Sequence, residues 1–211
     1  MTRPLKHLMM FRFLVMSLIP NPKKTITHAV TINASANEVW PWIAQLGAGR
    51  AGWYSYDQID NGGIPSAKTI IPRLQHIEVG DLMPAVPGSK DAFIIREIHV
   101  GKALVLVVPV TTAEQEPSIE KRMTSPLRVS WTLVLSSLNR GRTRLISRGR
   151  ISNEWLTYSP PAHHKPIFIE RVYQAFSRMP WFVVQPIAMS GHHFMESRML
   201  RGIKRRVEHD A

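Results

Sequence analysis

Residues 128–136 read RVSWTLVLS and residues 142–151 read RTRLISRGRI, with the turn sequence Asn139-Arg-Gly141 between them. Both stretches alternate in polarity, which is the period of a strand with one buried face. In the first stretch the residues that share one face are all apolar: Val129, Trp131, Leu133 and Leu135. The pattern predicts two strands joined by a turn, and therefore a fold built on an antiparallel sheet.

Upstream segments extend this sheet. Residues 25–33 (TITHAVTIN), 92–99 (AFIIREIH) and 103–110 (ALVLVVPV) are rich in β-branched residues and predict three more strands. Ser35 and Glu38 have the spacing of a capping box, in which each residue satisfies a free group of the other, so a short helix is predicted over 36–46.

The end of the chain predicts a different element. Residues 194–208 place apolar side chains at helical spacing and basic side chains on the opposite side. The apolar stripe consists of Met195, Met199, Leu200, Ile203 and Val207. A run of strands closed by one long helix indicates an α+β fold with two packed layers.

The predicted domain occupies residues 25–211; residues 1–24 precede it, and residues 155–191 form an insertion within it. Residues 1–24 form an apolar and basic N-terminal segment whose apolar run, 8–19, is too short to span a membrane and contains Arg12. It either packs on the domain as a helix or lies in a membrane interface. Residues 155–191 are proline-rich and apolar, and we interpret them as an extended, lid-like insertion.

Composition narrows the classes of function. The chain has no cysteine, which excludes disulfides, thiolate metal sites and a cysteine nucleophile, and it is compatible with a cytoplasmic location. Its 27 Lys and Arg against 15 Asp and Glu give a formal net charge of +12. That charge suits anionic partners, so peripheral contact with an anionic membrane is kept as an accessory property. A basic membrane-surface or nucleic-acid-binding protein stays a second alternative because of this charge and the basic cluster over 198–206, but the absence of a recognised binding motif argues against nucleic acid as a partner.

The glycines at 47, 49 and 52 match the pattern G-x-G-x-x-G. A dinucleotide-binding turn must follow a strand and open a helix, whereas this stretch follows a predicted helix. We therefore interpret the glycines as tight turns and expect no cofactor. The histidines lack metal-ligand spacing, so no metal site is expected.

Several stretches in this order resemble the START / polyketide-cyclase / pollen-allergen superfamily, known as SRPBCC, and in particular an uncharacterised bacterial branch of it. Those that carry the resemblance include INASANEVWPW (32–42), GRAGWYSYD (49–57), VSW (129–131) and HFME (193–196). The resemblance implies a helix-grip fold, in which a curved antiparallel sheet wraps around a long C-terminal helix and encloses a hydrophobic cavity. It also implies binding of a small hydrophobic or lipid-like molecule, or catalysis like that of a cyclase or dehydratase.

Such a cavity predicts its own lining, since ligand sites are mostly apolar with a few orienting polar groups. The candidate ligand-binding residues are Trp53, Tyr54, Tyr56, Trp131, Met195 and Met199. Asp57 as a base and Tyr56 as an acid are the candidate catalytic residues, although turn capping by Asp57 is the alternative. A carboxyl or histidine group inside the cavity would favour an enzyme over a carrier.

Overall fold

The computed structural model describes residues 18–87, 92–110, 118–156, 171 and 181–209. Most of the N-terminal segment over 1–24 and most of the insertion over 155–191 lie outside these residues. The strands are β1 (Lys24–Ile32), β2 (Leu82–Pro84), β3 (Ala92–His99), β4 (Ala103–Pro109), β5 (Leu127–Ser137) and β6 (Thr143–Ile151). The helices are α1 (Ala36–Ala44), α2 (Asp57–Asp60), α3 (Ile119–Thr124) and α4 (Trp181–His209), with 3-10 turns at Pro72–Leu74 and Asn153–Leu156.

The six strands form one antiparallel sheet in the order β1-β6-β5-β4-β3-β2. The predicted strand pair at its centre is confirmed: β5 and β6 pair so that Trp131 faces Gly149 and Leu133 faces Ser147. Register shifts between Ile95 and Glu97 and again beside Pro109 interrupt the ladder. Bulges of this kind bend strands and increase their twist, and the sheet is curved.

Helix α1 begins where the capping box places it. The backbone N–H of Ser35 donates to Glu38 Oε2 at 2.7 Å, which satisfies a group that the helix itself cannot pair. The helix then buries Val39, Trp42 and Ile43 in the core. After it, Gly47 and Gly52 pair as an isolated antiparallel bridge, the tight turn that was predicted.

Helix α4 packs across the concave side of the sheet. Its residues Leu200, Ile203 and Val207 are buried in the same cluster as Ile32 and Leu145 from the strands. The helix begins at Trp181 rather than at the predicted 194, and it contains Pro186. A sheet gripping one long C-terminal helix confirms the α+β, helix-grip prediction.

Within the described part of the chain, no helix has both the length and the apolar character needed to cross a bilayer.

Gly202 marks the point where α4 approaches the loop after α1 most closely. A Cβ atom at this position would collide with Tyr54 O and lie 2.9 Å from Tyr54 Cβ. Because backbone cannot yield as a flexible side chain does, we expect Gly202→Ala to destabilise the fold by about 1–3 kcal/mol. Urea unfolding followed by circular dichroism measures this change.

Gly191 supplies the matched control, since a Cβ there meets nothing within 4 Å on the same helix. Alanine favours helix over glycine, so Gly191→Ala should be neutral or should stabilise the fold by up to about 1 kcal/mol. Equal stabilities for the two variants would contradict the close packing of α4 on Tyr54.

Candidate functional site

A cavity of about 320 Å³ lies between α4, the concave face of the sheet and the loops after α1. Its wall is mainly apolar, and the sheet contributes side chains from five strands, β1 and β3 to β6. These include Ile26, Phe93, Val108, Val129, Trp131 and Ile151. The cavity exists beside Gly149, because this strand position carries no side chain and has open space where a Cβ would stand.

Three aromatic rings build one wall of the cavity. Trp131 lies 5.5 Å from Trp53 and 5.2 Å from Phe93 between ring centroids, and Trp53 meets Phe93 edge-on at 5.8 Å. The indole of Trp53 donates to Ala85 O at 2.9 Å, which fixes the loop ring against the sheet. Tilted and edge-on pairs at these distances are favourable, so the three rings stabilise one another in this wall.

Of the six predicted ligand-binding residues, the structure brings four together around the cavity. They are Trp53 from the loop, Trp131 from β5, and Met195 and Met199 from α4. Tyr54 and Tyr56 belong to the same loop as Trp53, but they lie outside the cavity lining.

Tyr54 is part of the core. Its hydroxyl accepts a hydrogen bond from Gln45 Nε2 at 2.8 Å, and the Arg206 guanidinium lies over its ring, 4.4 Å from the centroid. Burial raises the pKa of Tyr54 to about 12, against the lowering effects of Gln45 and Arg206. The phenol therefore stays neutral, and its contacts tie the loop to α4.

Tyr56 and Asp57 also have contacts of their own. Tyr56 stacks on Phe194 of α4 with ring centroids 4.6 Å apart and planes 8° apart. Asp57 accepts a hydrogen bond from the Ser66 backbone N–H at 3.0 Å and another from the Ser66 hydroxyl. This carboxylate closes the loop between 57 and 66, as the capping alternative predicted, and it does not line the cavity.

Asp60 is the acidic residue of this loop that does line the cavity. Its side chain is buried, and its Oδ1 has no hydrogen-bond partner among the described residues. Burial, and next the charge of Asp57, raises the pKa of Asp60 to about 6. A carboxyl group with a free buried oxygen beside an apolar cavity is suited to contact a polar group of a ligand.

A second carboxyl group, Glu196 of α4, lines the cavity and is buried. It contacts three side chains. Its Oε2 lies 2.5 Å from His28 Nδ1 and 2.9 Å from His192 Nε2, and its Oε1 accepts a hydrogen bond from the Ser147 hydroxyl. Ser147 in turn accepts a hydrogen bond from the Trp131 indole at 2.6 Å. The polar chain thus joins β1, β6 and β5 to the helix.

The pKa values of Glu196 and Asp60 are shifted in opposite directions. Burial acts to raise the pKa of Glu196, but the contacts with His192, Ser147 and His28 outweigh it and lower the pKa. Glu196 is therefore ionised at neutral pH, while Asp60 titrates near pH 6. The cavity holds one carboxylate and one group that readily takes up a proton.

Sequence reasoning did not find Glu196, His28 or Ser147, although a signal was present. Glu196 stands four residues before Leu200 and seven before Ile203, so a carboxylate interrupts the apolar stripe of α4. In the same way, His28 shares one face of β1 with the apolar residues Ile26 and Val30. Charged or polar residues on buried faces need partners, and such breaks predict a polar site.

Two chemistries are not supported by this cluster. The described residues contain no group of three or more His, Asp and Glu side chains arranged to hold a metal ion. Ser147 donates to a carboxylate rather than to a histidine, so the Ser147–Glu196–His28 order is not that of an activated serine nucleophile.

No protein-family model matches the chain, and no curated protein matches it. Solved structures similar to it include protein MLL2253 from Mesorhizobium loti, at 12% identity over 89% of this chain and 99% of that one, with a TM-score of 0.42. The Zhui aromatase/cyclase from Streptomyces sp. R1128 is 12% identical over 88% and 93%, with a TM-score of 0.38. Ara h 8.0201 is 13% identical over 87% and 97%, with a TM-score of 0.37.

All three TM-scores are below 0.5, so the assignment of the fold depends on the strand order, the single gripping helix and the cavity of this chain. These define a helix-grip fold. The architecture agrees with the SRPBCC resemblance of the sequence. Within this helix-grip domain, the function has to be argued from the cavity residues themselves.

The raised pKa of Asp60 predicts a pH-dependent loss of stability. The folded protein holds a proton that the unfolded chain, with an ordinary carboxyl pKa of 3.8, releases. Stability therefore falls as pH rises from about 4 to 6 and stays lower above that range. Asp60→Asn carries no charge, so we expect it to raise the free energy of unfolding at pH 7 by about 1–3 kcal/mol and to flatten this dependence.

Asp57→Asn is the matched comparison, because Asp57 uses its charge in the two hydrogen bonds to Ser66. It should destabilise the fold by about 1–3 kcal/mol. Urea unfolding between pH 4 and 8 measures both variants, and a destabilised Asp60→Asn at pH 7 would show that the carboxylate has a favourable partner.

Proposed function

We propose that the chain binds a small, mainly apolar molecule in the cavity between α4 and the sheet. The observation that carries this proposal is a hollow of about 320 Å³ walled by Trp53, Phe93, Trp131 and the two methionines. A core of this size normally fills such space with side chains, so an open apolar volume favours a ligand.

The polar groups of the wall restrict the ligand further. Asp60, whose Oδ1 has no hydrogen-bond partner among the described residues, and Glu196 line the same cavity as the rings. A bound molecule therefore has an apolar body and at least one hydroxyl group that can donate to these carboxyl oxygens. Met195 and Met199 suit ligands of irregular shape, since their side chains are flexible and polarisable.

Gly149 allows a direct test of cavity occupancy. Gly149→Phe places a ring in the open space of the cavity, so we expect it to abolish binding of the neutral apolar fluorophore 1-aminoanthracene. Gly149→Ala adds one methyl group that meets nothing within 4 Å and should retain binding. Fluorescence titration gives the dissociation constants, and circular dichroism verifies the fold of both variants.

Unchanged binding in Gly149→Phe would place the fluorophore outside the cavity and contradict the proposal. Native mass spectrometry of the wild type and of Gly149→Phe then detects a co-purified natural ligand. Its mass is present in the wild-type complex and absent from the variant.

The second candidate function is proton-transfer catalysis, as in a cyclase or dehydratase, and the two carboxyl groups favour it. Two titratable groups whose environments move their pKa values apart are suited to act as acid and base. In this hypothesis ionised Glu196 takes the proton next to a ketone, and protonated Asp60 donates to the β-hydroxyl group. The C–O bond breaks, water leaves, and a C=C bond forms. In this hypothesis the acid is Asp60 rather than Tyr56, and the base is Glu196 rather than Asp57.

A β-hydroxy ketone such as 4-hydroxy-4-phenylbutan-2-one tests this candidate, because its dehydration gives an enone that absorbs in the near ultraviolet. The rate should fall as pH rises above about 6, where Asp60 loses its proton. Asp60→Asn and Glu196→Gln should each lower the rate about 100-fold or more, the usual effect of losing a general acid or base.

Asp57→Asn should keep most of this activity when it is assayed without urea, at a temperature at which the variant is folded. If the wild type binds the fluorophore tightly but shows no turnover, the result supports the carrier function and contradicts the enzymatic one.

A further inference from the structure

A second hollow, of about 350 Å³, lies on the other side of the His28–Glu196 contact. It shares no lining residue with the cavity. Strand β1 provides His28, Ala29 and Val30, and α4 provides a stripe that includes His193, Ser197 and Arg201. We call this hollow the edge groove, because β1 is the first strand in the order of the sheet and, among the described strands, it pairs with β6 alone.

The edge groove contains an open strand edge. The Asn33 N–H donates to Glu208 Oε1 at 2.8 Å, and Lys204 Nζ donates to Thr31 O at 2.9 Å. Both helix side chains therefore reach backbone groups on the side of β1 that faces away from β6. Backbone groups alternate in direction along a strand, so the N–H of Ala29 points from the same free edge.

The edge groove contains one side chain that can only donate hydrogen bonds, Arg201. Arg201 is exposed and makes one hydrogen bond, from Nε to Ser197 O at 3.0 Å, so within the described chain its two terminal amino groups have no partner. His193 is exposed, and its Nδ1 lies 2.6 Å from His28 Nε2. The groove lining includes no carboxylate, since Glu196 lies behind His28 and faces the cavity.

The remaining walls are apolar. Val30, Leu200 and Phe194 line the groove, and Phe194 is 54% exposed although it stacks on Tyr56. An exposed ring beside an arginine with free donors presents an apolar surface and a cationic group to the same ligand.

We propose that the edge groove is a second binding site, which takes an amphipathic carboxylate. The carboxylate contacts the terminal amino groups of Arg201 and the backbone N–H of Ala29, and the hydrocarbon part lies on Val30, Leu200 and Phe194. This site is separate from the cavity, and it does not require that the cavity function is correct. Phosphate and carboxylate heads share this chemistry, so free acid and membrane lipid are tested separately.

Octanoate is the probe, and the amide chemical shifts of ¹⁵N-labelled protein are the measurement. We expect octanoate to shift the amides of Ala29, Val30 and Ser197, with saturation. The neutral octan-1-ol has the same chain without the charge, and it should leave these amides unchanged even where it perturbs cavity amides such as those of Trp131 and Met199.

Arg201→Gln should weaken octanoate binding at the groove amides about tenfold, the loss expected for a charge-assisted hydrogen bond. Arg205→Gln is the control, since Arg205 is exposed on the same helix and does not line the groove. An equal dissociation constant in wild type and Arg201→Gln would overturn the proposal, and so would octanoate shifts confined to cavity amides.

Vesicles of phosphatidylglycerol distinguish the two sources of the anion. Sedimentation with vesicles that depends on Arg201, without any groove shift from octanoate, would overturn the proposal in favour of a lipid surface. Groove shifts from octanoate without sedimentation support a site for free acids.

Discussion

The contact of the buried Glu196 carboxylate with Ser147 and His28 fixes how α4 sits on the sheet. It joins the helix to β6 and β1 at a polar point, whereas the later turns of the helix pack through Leu200, Ile203 and Val207. Removing one partner of such a buried charge is costly, so this contact restrains the position of the helix on the sheet. The same series of hydrogen bonds includes Trp131, whose indole donates to Ser147. Trp131 in turn lines the cavity.

The cavity combines an apolar wall with two carboxyl groups whose pKa values are shifted in opposite directions. Asp60 is buried with a free oxygen and has a raised pKa, while histidine and serine contacts keep Glu196 ionised. A carrier needs only one orienting polar group in such a wall. The presence of an acid and a base in one cavity is therefore what distinguishes this helix-grip domain from a simple apolar pocket, and it keeps the enzymatic candidate in view.

The fold was predictable because its main elements have strong local periods. The alternation over 128–136 and 142–151, the Ser35–Glu38 capping box and the apolar stripe from Met199 to Val207 all lead to observed elements. The start of α4 was not predictable. Pro180 and Pro186 indicate an interrupted segment in the sequence, whereas the structure accommodates Pro186 inside the helix. The apolar half of the site was predictable, because it consists of large apolar residues on predicted elements. The polar half was not, because His28 and Glu196 are 168 residues apart and their pairing depends on the tertiary fold.

The far end of the sheet has a further consequence for how copies of this chain behave together. Strand β2 has only three residues and ends at Pro84, which has no N–H to offer. A short edge of this kind is a poor template for another strand, while side chains of α4 occupy backbone groups at the opposite edge. Within the described sheet, strand addition is therefore disfavoured along the whole β2 margin, whereas at the β1 margin it is disfavoured only at the Thr31 and Asn33 backbone groups that α4 side chains already occupy.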